Sequence, residues 1–560
     1  MKTTYTYDHY FLYEEIMDII HHFEDVCPMI ISHEVLLTTP DNHDMVAVTL
    51  TNKATGAALS KPAFYIDGNH HAGEVTGSMA AMHTLDVLCT NYGTDEGITK
   101  LLNSSVVYII PRVSMDGAET YLTTPYSLRS VNRPYINEKE GLYQEDIDGD
   151  NVIRMMRIKS GSGAWKKDPD NPDMVARRLP DDVEGDFYDI YSEGMIDEFD
   201  GVTMKVKEPL WGLDFNRNYP FGWFAEARQP GAGAYPLSNP ENKAVVEFVL
   251  AHPNIGGVAT HHTSGGVILY PPGTKPEFKA PFEDMKIFKE IGQMGTQEMG
   301  YPTVNIFDSF MIDQENYSSG AFDDWCYQDQ GIYAYTIELW DLNSKIGMPT
   351  DWNKRKWPTI DEAMGKMAKV IEWCKENNPE AFMPWTPVIH PQLGEIEIGG
   401  FNYKFVFQNP PGHLLGEEVE KTTKFMLRFA KVMPKLAIEE TTVNKVAEGV
   451  YEIKAKVANH GYLPSYISKE AKSLKVDKPV VASLSGNVEF VSGKAESEIG
   501  DLAGYSLTRT GAHFYGNIAT QTSEPCVKEV SWIVKGAEGT ELTLTVSQPK
   551  MGTTFTNIEL

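Results

Sequence analysis

The run Ala63-Phe64-Tyr65-Ile66-Asp67-Gly68-Asn69-His70-His71-Ala72-Gly73-Glu74 decides how this chain is read. It opens on a short apolar segment, the signature of a buried strand. It closes with His71 and Glu74 three positions apart. If residues 71–74 form a single turn, the imidazole and the carboxylate share one face and can grip one cation. A zinc site built from two His and one Glu keeps a coordination position open for water, and open-site zinc hydrolyses bonds. An isolated H-x-x-E recurs by chance in many sequences. The rest of the chain has to supply a second His, a general base and a group that recognises a substrate.

With 560 residues the chain exceeds one ordinary core, so two or more domains are expected. An apolar fraction of 42% with 23% charged residues is ordinary for a globular protein. The net charge of −29 argues against nucleic acid or an anionic membrane as partner, because phosphate binding needs basic surface. No apolar run is long enough to span a bilayer. The N-terminus MKTTYTYDHYFLYEE lacks the apolar core of a signal peptide. That predicts a cytoplasmic protein, or a secreted or periplasmic one if a signal has been removed. Five scattered cysteines without C-x-x-C spacing indicate neither a disulfide framework nor a cysteine zinc site.

Along residues 1–385, short apolar β-rich runs alternate with helix-like segments. Strands are expected at 45–51, 63–67, 106–110, 256–260 and 332–339, and helices at 13–23, 77–89, 241–250, 285–298 and 360–375. This pattern predicts an α/β fold, a mixed, largely parallel sheet flanked by helices. Ligand sites in such folds gather at the carboxyl ends of the strands. An insertion at 134–207, rich in Asp and Gly, reads as a long surface excursion. Residues 386–433 read as a connecting segment, with a turn at Asn409-Pro410-Pro411-Gly412 and a helix candidate at 417–431. From 434 to 560 helix signals vanish, and runs at 449–457, 488–491, 527–534 and 540–546 predict an all-β sandwich domain.

Three further segments complete a candidate site. Val258-Ala259-Thr260-His261-His262 ends a strand on two histidines, which is also how a hydrogen-bonded core histidine reads. In Tyr333-Ala334-Tyr335-Thr336-Ile337-Glu338-Leu339, a carboxylate ends an otherwise apolar strand. Carboxylates are almost never buried without a partner, so Glu338 is expected to face a cation, a donor or a cleft. Asp214-Phe215-Asn216-Arg217-Asn218 sets an amide beside a guanidinium, a pair able to clamp a carboxylate. The bland alternative is a turn whose Arg makes a structural salt bridge.

Over roughly residues 5–385 the chain resembles the zinc metallocarboxypeptidases of the carboxypeptidase A-like family. The resemblance is carried by motifs in family order. These are G-x-H-x-x-E as Gly68/His71/Glu74, then Pro111-Arg112-Val113-Ser114-Met115-Asp116-Gly117, then Asn216-Arg217-Asn218. His262 with Tyr270-Pro271 follows, then Glu338 in T-x-E-L, with Trp325 thirteen residues before it. The resemblance selects His71 over His70 and His262 over His261, and implies Zn2+ held by His71, Glu74 and His262. It implies Glu338 as general base and Arg129 as the oxyanion-stabilising group, with Arg133 a lesser substitute. Asn216 and Arg217 would bind the terminal carboxylate of a peptide or protein substrate, and Tyr317 would close over it. The register from Tyr317 to Trp325 is one residue shorter than the family pattern.

Specificity is written more faintly. Asp323 stands near the position lining the side-chain pocket, where an acid favours a C-terminal Lys or Arg. Gly73 replaces an Arg that many members use to hold extended substrate. Asp146-Ile147-Asp148-Gly149-Asp150-Asn151 resembles the start of a calcium loop, yet its glycine falls at position four and Arg157 stands at position twelve, so an acidic surface loop is expected. Other activities open to the same motifs are an amidase acting on modified peptides, such as cell-wall peptides or polyglutamylated tails, and an inactive carboxypeptidase-like binding protein.

Overall fold

The computed structural model describes residues 1–134, 140–207, 211–512, 518–522 and 524–560. Residues 135–139 of the expected insertion lie outside the described residues. An eight-stranded sheet organises the N-terminal two thirds of the chain. In chain order its strands are β1 (Ile31–Thr38), β2 (Asp44–Leu50), β3 (Ala63–Gly68), β4 (Val106–Ile110), β5 (Ile255–Thr263), β6 (Val267–Tyr270), β7 (Thr303–Asn305) and β8 (Tyr333–Leu339). Their spatial order is β1-β2-β4-β3-β5-β8-β6-β7. The central strands β4, β3, β5 and β8 run parallel. Antiparallel pairings of β1 with β2, β2 with β4 and β6 with β8 make the sheet mixed.

The central strands are apolar at consecutive positions because both faces of the sheet are covered. Along β3, Phe64 and Ile66 enter one core while Ala63 and Tyr65 enter the other. In β8, Tyr335 and Ile337 face the first core and Ala334 the second. Period-two alternation therefore persists, with neither face polar. Helices Tyr13–Val26, Thr76–Asn91, Pro240–Ala251, Phe282–Met299 and Ile360–Asn377 stand where the sequence places helices. Strand β1 had no sequence signal, since it is an edge strand with mostly half-buried or exposed residues.

Two segments differ from expectation. The insertion is not a bare excursion. Its strands Met155–Lys159, Trp165–Lys167, Val175–Arg177 and Phe187–Ser192 join the hairpin Phe382–His390 and Gly394–Phe401 in a six-stranded sheet. A small core of Leu142, Met156, Ile196, Ile396 and Ile398 lies beneath it. Its apolar residues come in ones and twos broken by polar and charged residues rather than in long runs, so they leave little trace in the sequence. Helix Gly412–Ala430, expected within a connector, sends Leu415, Val419, Phe425 and Phe429 into the same core as Phe64 and Ile66. Toward the C-terminus two antiparallel four-stranded sheets pack face to face as a sandwich. Ile453, Val457, Trp532 and Val534 meet Ala482, Leu484, Leu544 and Val546 between them.

The junction of helix Thr76–Asn91 with helix Gly412–Ala430 carries a buried imidazole. His83 Nδ1 is 2.7 Å from Thr423 Oγ1, and the His83 ring meets Tyr7 edge-on at 4.7 Å. Burial pushes His83 down to about 4 from its ordinary 6.5. The folded protein therefore holds it neutral, while the unfolded chain takes up a proton near 6.5. This contribution is complete above about pH 6.5 and is lost as pH falls from there toward 4, by up to about 3 kcal/mol. Urea midpoints measured between about pH 7 and pH 4.5 should fall less steeply for His83→Gln than for the parent protein. Equal slopes would remove His83 as the source.

Candidate active site

The decisive turn forms where β3 ends. Asn69 takes a left-handed φ of 61°, and its Nδ2 donates to the His71 and Ala72 carbonyls at 2.8 and 3.1 Å. Glu74 N donates to His71 O at 3.1 Å, which closes the turn and puts both side chains on one face. Glycine is required where the turn meets the sheet. A Cβ on Gly68 would lie 2.4 Å from the Gly77 carbonyl carbon, and one on Gly77 would lie 2.7 Å from His261 O. That close approach seats the helix after the turn directly against β5.

Parallel register then assembles the remaining groups. His261 lies opposite Gly68, and His262 lies opposite Glu338. His71 Nδ1 stands 2.8 Å from Glu74 Oε1, and His262 Nδ1 stands 2.8 Å from Glu74 Oε2 and 3.2 Å from His71 Nδ1. All three residues are buried, and one ligand atom from each lies within 4.8 Å of the others. Two imidazole nitrogens and a carboxylate converging at this spacing make a donor set that fits zinc. Against the burial that pushes it up, the His71 and His262 imidazoles hold the Glu74 carboxyl below the usual range.

The other histidines of each pair face elsewhere. His70 Nε2 is 2.7 Å from Tyr219 Oη and its Nδ1 is 3.3 Å from Thr260 Oγ1, within a buried network that includes Asp67. His261 Nδ1 is 2.8 Å from the Asp67 carbonyl.

Asp214, to which the sequence pattern alone gives no role, joins the cluster. Its Oδ1 is 3.1 Å from His71 Nε2 and its Oδ2 accepts from Arg129 Nε at 2.8 Å. Against burial, Arg129 and then His71 hold its carboxyl well below the ordinary range. A carboxylate on the far nitrogen of a metal-facing imidazole fixes its tautomer and orientation. The signal lay two residues before Asn216, in a position whose purpose shows only when His71 is brought beside it.

Arg129 lies at the edge of the cluster, with Nη1 3.5 Å from Glu74 Oε1. Arg133 is committed elsewhere, bidentate to Glu241 at 2.6 and 2.8 Å. Glu338 is held up to about 7 by burial and then by the Glu74 charge, opposed by His262 and Arg129. Asn216 Oδ1 accepts from Phe322 N at 2.9 Å, and Arg217 Nη2 donates to Ser318 Oγ at 3.1 Å. Next to Ser318, Tyr317 packs its ring 5.9 Å from Phe224 and 6.3 Å from Phe307. Asp323 is buried and accepts from Thr336 Oγ1 at 2.7 Å and Asp324 N at 2.8 Å. Its neighbour Asp324 is also buried, pushed up to about 7 by burial and then by Asp323.

Two other groups of ligand-type side chains are already engaged. In the loop after 145, Asp146 accepts from Gly149 N and Asn151 N, and Glu193 accepts from Ile147 N and Arg154 N. Near the N-terminus, Glu24 Oε1 is taken up by the backbone and the ring of His33.

Comparison with known proteins identifies the family. Residues 16–353 match the family described as zinc carboxypeptidase, and residues 435–559 match a domain of unknown function (DUF8731). The chain belongs to the zinc carboxypeptidase family, whose metal is zinc. It is 24% identical over 353 residues to carboxypeptidase A2 of Rattus norvegicus, covering 60% of this chain and 64% of that protein. Over 143 residues it is 32% identical to carboxypeptidase A1 of Mus musculus, covering 23% of this chain and 32% of that one. Among solved structures it is similar to carboxypeptidase A from Helicoverpa armigera, with 15% identity, 76% and 74% coverage and a TM-score of 0.41. No helix among the described residues is long and apolar enough to cross a membrane.

Replacing Asp214 with Asn should leave the fold intact and weaken zinc binding by about 10- to 100-fold, read by competition with a chromogenic chelator. Unchanged affinity would show that the Asp214–His71 contact does not orient the ligand.

Proposed function

We propose that this protein is a zinc-dependent carboxypeptidase that hydrolyses the C-terminal peptide bond of peptides or proteins. The observation that carries this reading is the convergence of His71, Glu74 and His262 beside Glu338 and Arg129 at the carboxyl ends of β3, β5 and β8. The same reading takes residues 1–385 as the catalytic part and 434–560 as an appended β-domain. Held by His71, Glu74 and His262, zinc would polarise the scissile carbonyl and lower the pKa of a water.

Glu338 accepts the proton of the attacking water and passes it to the departing amine. Its held-up carboxyl suits it to give and take a proton near neutral pH. Arg129 donates to the oxygen on which charge develops, from a rim position that leaves its guanidinium reachable by substrate. The Arg217 guanidinium and the Asn216 amide, whose oxygen is already fixed by Phe322 N, hold the terminal carboxylate. Tyr317, on the loop that Arg217 touches through Ser318, covers that end of the substrate.

The Asp323–Asp324 pair forms no ion pair with Lys or Arg among the described residues, although both carboxyl groups are buried. The charge of Lys275 reaches Asp324, and a C-terminal Lys or Arg side chain would bring a further cation to the pair.

Glu338→Gln should retain zinc at near-stoichiometric level and lose about 10²- to 10⁴-fold in kcat. In the same assay the parent enzyme should cleave peptides with free C-termini and spare amidated ones. Equal cleavage of both would sink the exopeptidase reading. Asp323→Ala should cut kcat/KM for C-terminal Lys and Arg by about tenfold or more while sparing apolar C-termini, measured on a peptide library. An unshifted profile would remove Asp323 from the pocket.

A further inference from the structure

Gly73 immediately precedes the metal-facing Glu74, and the space above it is filled by a distant segment. A Cβ at position 73 would lie 2.6 Å from Gln408 Oε1 and 2.7 Å from Gln408 Nε2. The Gln408 amide thus lies flat over the glycine. Tyr121 donates its hydroxyl to Gln408 Oε1 at 3.0 Å, which fixes the oxygen and leaves Nε2 without a hydrogen-bond partner among the described residues.

The segment bearing Gln408 is firmly anchored. Asn409 Nδ2 donates to Gly73 O at 2.7 Å, and its Oδ1 accepts from Thr76 N at 3.1 Å and Thr76 Oγ1 at 2.8 Å. Lys404 Nζ donates to the Tyr121 and Thr124 carbonyls at 2.5 and 2.6 Å. Tyr10 donates to the Pro410 carbonyl at 2.6 Å. From this anchored turn Tyr403 projects at 55% exposure, its ring stacked on Phe407 at 5.7 Å. The Tyr403 carbonyl accepts from Gln408 N at 3.3 Å, so the ring stands in the same turn as the Gln408 amide.

Asn216, Arg217 and Asp323 belong to the elements around the 317–323 loop. Gln408, and Tyr403 in the same turn, belong to the Gly73 and Tyr121 side. On the proposed carboxypeptidase reading, a peptide held by its terminal carboxylate at Asn216 and Arg217 would run across the cluster toward this second side. We propose that Gln408 and Tyr403 form the binding wall for the residues N-terminal to the scissile bond, and that a neutral amide donor and an aromatic ring perform there what a charged side chain at position 73 would otherwise do. Gln408 Nε2 donates to a backbone carbonyl of the substrate, and Tyr403 packs on the adjoining residue. The proposal rests on the carboxypeptidase reading above.

The test compares a blocked dipeptide with a hexapeptide ending in the same two residues. The parent enzyme should prefer the hexapeptide. In Gln408→Ala and in Tyr403→Ala the hexapeptide-to-dipeptide ratio of kcat/KM should fall about five- to tenfold, through KM rather than kcat. A ratio unchanged in both variants would overturn the proposal. Because even a methyl at 73 must displace the Gln408 amide, Gly73→Ala should lower the ratio in the parent and have little further effect in Gln408→Ala. Fully additive losses would overturn the proposal by showing that the two positions act separately. Failure of the parent enzyme to cleave either peptide would overturn the carboxypeptidase reading itself, and this wall with it.

Discussion

The Glu74 carboxylate, set between two imidazoles, is the constraint on which the rest of the site depends. It is buried and close to His71 through one oxygen and His262 through the other. A buried carboxylate without such partners costs several kcal/mol, so this position is tolerable only if the turn after β3 and the end of β5 are held together. Every device around it serves that closeness. Asn69 bends the chain, the glycines at 68 and 77 let helix and strand backbones touch, and parallel register sets His262 beside Glu338.

Asp214 extends the same logic outward. It receives the far nitrogen of His71 and the guanidinium of Arg129, so one carboxylate links the clustered imidazole to the group proposed to meet developing charge. The polar network behind the cluster plays a quieter part. His70 bonds Tyr219 through one nitrogen and approaches Thr260 and Asp67 with the other, and its ring stacks under His262 at 5.6 Å. The adjacent histidines thus divide between gripping and supporting.

Much of this was legible in the chain because the informative residues are either runs or punctuations. Central strands announced themselves by unbroken apolar stretches, and helices by length and period. The pairs His70-His71 and His261-His262, with Glu74 and Glu338, stood out as polar residues at or just after the ends of apolar strands. The family resemblance chose His71 and His262 among them, and the structure brings the chosen groups together. Less could be read where apolar residues come in ones and twos between polar ones, as in the sheet formed by Met155–Lys159, Phe187–Ser192 and the hairpin at 382–401. Edge strand β1 was silent for a related reason, since half-exposed residues carry weak patterning.

The sequence by itself determined the kind of chemistry: which side chains could hold a metal, which could move a proton, and that an α/β sheet would carry them. Tertiary structure decided the rest, because spacing along the chain says nothing about what a distant segment brings to a site. Only folding shows that Asp214 braces His71, that Arg133 is committed to Glu241 while Arg129 stays at the rim, and that Gln408 lies over Gly73. Those facts depend on which backbones approach closely enough to touch. That approach is set by packing across the whole molecule rather than by any local pattern.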